Sequence, residues 1–164
     1  MTLTVNSDCT SLQIVSTLID DYIATPTVDL TLSFEDCEGT TYEYDIVEGT
    51  DVTAGTPNFA TITPAQIISA TATEFPDGVY QVTLTADDSG TITTEVQCML
   101  VDCDLECRVF DFQAENLTSR VSQYYEALKL GETCDNCSCT GMCSLYNKIL
   151  DLLANNTEND CGCQ

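Results

Sequence analysis

Eleven cysteines are the residues of this chain best equipped for chemistry, and they fall in groups. Cys134-x-x-Cys137-x-Cys139-x-x-x-Cys143 forms one run. Cys103 and Cys107 stand four residues apart, and Cys161-x-Cys163 closes the sequence. Four gathered thiols can bind a tetrahedral zinc ion as thiolates, or oxidise in pairs to disulfides. The spacing leaves both open, and free buried thiols as a third state, because only Cys134–Cys137 is a zinc-type Cys-x-x-Cys knuckle. A redox dithiol there is disfavoured: Glu132 and Asp135 are its neighbours, and negative charge raises a thiol pKa. Histidine is absent, which excludes a Ser-His-Asp triad, a Cys-His dyad and any His-containing metal site. Eleven is odd, so complete internal pairing is impossible.

The elements that must position these thiols lie in the second half of the chain. Phe110, Ala114, Leu117, Val121, Tyr124 and Leu128 recur at spacings of four and three, the period of an amphipathic helix. The pattern predicts one helix over about 106–130, with Gly131 as its cap. Met142, Leu145, Ile149 and Leu152 predict a second helix over about 140–154, with Thr140 as N-cap. Two such stripes joined by a short connection read as an antiparallel helical hairpin. One helix would be about 35 Å long and the other about 22 Å. The tail from 155 to 163 makes up the difference, so each end of the hairpin gathers four thiols. Cys134, Cys137, Cys139 and Cys143 meet at one end, and Cys103, Cys107, Cys161 and Cys163 at the other. Packing within the chain accounts for the stripes. Alternatively Phe110, Leu117, Val121, Tyr124, Leu128, Leu145 and Ile149 form a contact with a neighbouring subunit.

The first half has a different chemistry. Of 25 threonines, 21 lie in residues 1–94, whereas 9 of the 11 cysteines lie in 98–163. Apolar residues alternate with polar ones at Val28-Leu30-Leu32-Phe34, Tyr42-Tyr44-Ile46 and Tyr80-Val82-Leu84-Ala86. This is the period of strands with one buried face. Strands are predicted near 2–6, 11–18, 27–35, 40–47, 59–62, 67–73, 78–86 and 91–101, separated by Gly, Pro and Asp turns. Seven or eight short strands at this spacing suggest an antiparallel sandwich. Residues 75–84, Phe-Pro-Asp-Gly-Val-Tyr-Gln-Val-Thr-Leu, resemble the penultimate hairpin of immunoglobulin-like and fibronectin-like domains. The resemblance implies that Tyr80 occupies the place of the tyrosine corner. The expected fold is thus an all-β immunoglobulin-like sandwich over 1–101 and a Cys-rich helical hairpin over 102–164, α+β overall. Cys98 shares a strand face with Thr94, Val96 and Leu100 and is expected in the core.

The charge limits the partners. Against 27 acidic residues stand Arg108, Arg120, Lys129 and Lys148, a formal net charge of −23. Such a surface repels nucleic acid and anionic lipid, and attracts a basic partner. Apolar residues at 43% are too many for a disordered acidic tail. The first eight residues lack the features of a secretory signal, and no run approaches a membrane span, so a chain made and kept in a cytoplasm is expected. The acidic pairs Asp20-Asp21, Glu35-Asp36 and Asp87-Asp88 read as solvated turns.

The Thr-rich strands, residues 75–84 and the Cys-rich end together resemble small immunoglobulin-like virion structural proteins of tailed bacteriophages, of the crAss-like or marine type. The resemblance implies a non-enzymatic role in a tail, a head–tail connector or a capsid, in the virion and assembled in the host cytoplasm. Its partners would be further copies of itself and other virion proteins with a basic docking surface. It implies neither nucleic acid nor membrane as partner, and no cofactor beyond a structural zinc. Two other functions compete. An adhesin-like module would recognise a host surface through Tyr22 and Phe59, and a zinc-stabilised cytoplasmic adaptor would carry metal.

Overall fold

The computed structural model describes residues 1–5, 12–19, 28–46, 60–62, 77–116, 119–130 and 139–157. Among them seven strands precede three helices, so the chain is α+β. It divides into two compact units, Met1–Val101 and Asp102–Gln164.

The first unit holds all seven strands. β1 (Thr2–Val5), β2 (Leu12–Val15) and β5 (Ala60–Ile62) form one sheet in the order β1-β2-β5. β3 (Val28–Glu35), β4 (Thr41–Ile46), β6 (Gly78–Asp88) and β7 (Thr91–Val101) form the other, ordered β4-β3-β6-β7. Every pairing is antiparallel. The expected strand at 67–73 lies outside the described residues.

Alternation along β3 and β6 builds the core. Val28, Leu30, Leu32 and Phe34 point to one face, and their cross-strand neighbours Ala86, Leu84 and Val82 point the same way. Tyr80, Met99 and Val101 extend this cluster, and Ile14 of the three-stranded sheet joins it. Ile14, Leu32, Phe34, Val82 and Leu84 are wholly buried. Burying such side chains stabilises by roughly 1.5–3 kcal/mol each.

Two turns set the register. Between β3 and β4, the Asp36 carboxylate accepts from the backbone N–H groups of Glu38 (3.0 Å) and Thr40 (2.7 Å). Gly39 follows at φ 83°. Between β6 and β7, Ser89 and Gly90 have φ of 52° and 101°. That is a two-residue turn of the kind whose twist matches the flanking strands. Asp87 ties it by accepting from Gly90 N–H at 2.8 Å.

Cys98 departs from expectation. The face it shares with Thr94 and Val96 points away from the core, which takes Met99 and Val101 instead. Alternation fixes two faces of a strand but does not say which is inside. Here the register Tyr80↔Met99 decides it.

From Leu105 on, the described residues of the second unit are all helical. The helix over 106–130 is two helices, α1 (Leu105–Asn116) and α2 (Ser119–Leu130), and the third, α3 (Cys139–Thr157), packs against both. Residues 117 and 118, between the two helices, lie outside the described residues. Leu105 and Val109 are buried and Phe112 half-buried, while Phe110 is 69% exposed and Ala114 is exposed too. Asp104 caps α1: its carbonyl accepts the first helical bond, from Arg108 N–H at 3.0 Å.

Candidate functional site

The helical unit has a small apolar centre: Leu105, Val109, Val121, Leu128, Met142, Tyr146 and Ile149. Of the residues expected to form a stripe, Val121, Leu128 and Ile149 are buried here, and Tyr124 and Leu145 are half-buried. Phe110 stands apart on the surface, and Leu117 lies outside the described residues. Tyr146 takes the central position on α3 that the spacing had suggested for Leu145.

Cys37, Cys98, Cys103, Cys139 and Cys143 are disulfide-bonded. Cys107 is a free, exposed thiol. Cys134, Cys137, Cys161 and Cys163 lie outside the described residues, as do Asp20, Asp21, Tyr22 and Phe59. Among the described residues, no group of three or more Cys, Asp or Glu side chains is placed to hold a metal.

A polar cluster opens the helical unit. The Asp102 side chain is fully buried between β7 and α1 in sequence. One of its oxygens, Oδ2, accepts from the Arg108 guanidinium and from the Tyr146 hydroxyl, the latter at 2.8 Å. The other oxygen, Oδ1, is buried with no partner. Burial works against the Arg108 charge, but the hydrogen bond and attraction of Asp102, with help from Tyr146, hold its pKa above the ordinary value. This trio ties the start of α1 to the middle of α3. The signal available in the sequence was the scarcity of cations, since one of only four sits six residues after Asp102.

A second polar junction sits on β7. Glu95 accepts from Ser16 Oγ (2.8 Å) and Thr17 Oγ1 (3.3 Å), and pairs with the N-terminal ammonium at 2.8 Å. The hydrogen bond from that ammonium is the main cause of a pKa below the usual carboxylate range. Partial desolvation opposes it, and Ser16 and Thr17 reinforce it. Ser16 also accepts from Leu18 N–H at 3.1 Å, capping the helical turn at 17–19.

On α2, Lys129 lies 5.7 Å from the centre of the Tyr125 ring. Burial raises the Tyr125 pKa, and the neighbouring Glu106, Glu126 and Cys107 raise it further.

Among the described residues, the large apolar side chains left exposed are Val15, Ile92, Val96 and Phe110. Two of these are on β7. Among the described residues, no helix is long and apolar enough to cross a membrane.

No protein-family model, curated protein or solved structure matches the chain.

Proposed function

We propose that this chain is a non-enzymatic structural component of a bacteriophage particle, acting through protein–protein contacts in a tail, connector or capsid. The observation that carries the reading is the strand order. The orders β1-β2-β5 and β4-β3-β6-β7, with Ile14 of one sheet in the same core as Leu32 and Phe34 of the other, support an immunoglobulin-like sandwich. The burial of Tyr80 in that core near the start of β6 supports the reading of a tyrosine corner. Fold alone assigns no activity. The net charge of −23 supplies the second support, since it suits docking on a basic protein surface.

Particles purified from host cells that produce the chain provide the test. Quantitative mass spectrometry should find it in fixed ratio to the major structural proteins. Isolated chain should rebind stripped particles at low salt and lose that binding in about 1 M salt, where the screening length falls to about 3 Å. Absence of the chain from particles overturns the reading.

A further inference from the structure

The two edges of the four-stranded sheet are built differently. The β4 edge carries the exposed carboxylate of Glu43. Charges on an edge strand discourage pairing with another chain. The β7 edge has no such guard. It runs for 11 residues without proline, lysine or arginine, and its one charged residue is Glu95. Glu95 stands opposite Leu84, on the core-facing side, and is already engaged by Ser16, Thr17 and the N-terminal ammonium. The opposite face of β7 presents Ile92 and Val96, 67% and 54% exposed. Among the described residues, β6 is its sole neighbour in the sheet.

The hairpin sets which backbone groups are offered. The Ser89-Gly90 turn is closed by the pair Asp88↔Thr91. From that closing pair an antiparallel ladder alternates, so Thr91, Thr93, Glu95 and Gln97 direct their N–H and C=O groups to β6. Ile92, Thr94 and Val96 direct theirs to the outer edge.

We propose that two copies of this chain join β7 to β7, antiparallel, about a two-fold axis at Thr94. In that register Thr94 pairs with Thr94 of the second copy, and Ile92 pairs with its Val96, twice by symmetry. These are the residues whose backbone groups face outward, so each pair exchanges two hydrogen bonds. Their apolar side chains meet on one face, where cross-strand pairs stabilise a sheet. Glu95 falls opposite Thr93, so no carboxylate faces another, a rare property on a chain of this charge. Pairing over residues 91–97 is about 24 Å long and yields one eight-stranded sheet, an ordinary size. The inference rests on the assembly reading for its purpose, and supplies that reading with a partner and an edge.

Sedimentation equilibrium of the full oxidised chain tests it, in a Cys107→Ser background so that the free thiol cannot link copies. The expected mass is twice 17.8 kDa. Thr94→Pro removes an outward N–H while sparing the ladder to β6, and Val96→Glu sets carboxylates into the seam. Each should raise the dimer dissociation constant at least about tenfold. Circular dichroism checks folding, and the surface substitution Val96→Glu decides the matter if the proline variant misfolds. Phe110→Ser should leave the dimer intact. A wild-type monomer at about 1 mM, a dimer indifferent to Val96→Glu, or a dimer lost with Phe110→Ser overturns the proposal. A monomer that is nevertheless present in particles sinks the edge and spares the assembly reading. A β7 dimer from a chain absent from particles does the reverse.

Discussion

The sheet unit and the helical unit are held together by different means. In Met1–Val101 one continuous cluster, centred on Leu32, Phe34, Val82 and Leu84, fills the interior, and its polar junction at Glu95 sits toward the rim. Among the described residues of Asp102–Gln164, three helices surround seven buried apolar side chains. There Cys103, Cys139 and Cys143 are disulfide-bonded, and the buried Asp102 carboxylate, held by Arg108 and Tyr146, ties α1 to α3. A small domain that cannot bury enough apolar surface needs cross-links. Placing most of the cysteines in the helical unit follows that rule.

The contrast can be broken from either side. Leu32→Ala removes a wholly buried side chain from the sheet core and should cost about 2–5 kcal/mol. In a thermal scan it should lower the transition of the sheet unit and leave the far-ultraviolet helical signal where it was. A single transition that moves as one would show that the units share their stability.

Arg108→Ala should act on the other side. It leaves the Asp102 carboxylate buried with only Tyr146 as partner. Breaking a fully buried pair costs about 3–5 kcal/mol, but Arg108 is itself 45% exposed, so about 1–3 kcal/mol is expected. The double variant Asp102→Ala, Arg108→Ala should recover part of the loss, because the stranded charge goes with its partner. If the double variant is worse than the single, Asp102 holds the unit by some other contact.

The smallest effect is that of pH on Glu95. Its folded pKa is depressed, so its contribution is complete above the unfolded value of about 4.3 and is lost as pH falls through the folded value. Other carboxylates titrate over the same range, so the comparison is with Glu95→Gln. Between about pH 6 and pH 3 the wild-type sheet unit should lose more stability than this variant. Parallel curves would remove Glu95 from the stability of that unit.

Much of the sheet unit was legible in the sequence. Val28 to Phe34 and Tyr80 to Ala86 alternate cleanly because each strand has one dry face, and the turns are written in Gly, Asp and Ser. The inside face of β7 was not legible, since Thr94-Val96-Cys98-Leu100 is as apolar as the row that is buried. Only pairing with β6 chooses between them. The helices were legible as helices but not in phase. Phe110 continues a stripe that includes Val121 and Leu128 only if the helix is unbroken, and Leu105, Val109 and Phe112 form an equally good stripe on their own. Asp102 was missed because its role depends on Tyr146, forty-four residues away, and nothing local marks a carboxylate as buried. The fate of each cysteine was likewise beyond spacing: Cys103 is bonded and Cys107, four residues on, is free.

Hydrogen exchange read by mass spectrometry, with and without a phosphine reductant, tests the contrast most directly. The account predicts that reduction strips protection from α1, α2 and α3 while β3 and β6 keep theirs, although Cys37 and Cys98 are reduced as well. Helices that keep their protection under reduction, or strands that lose theirs in step, would contradict it.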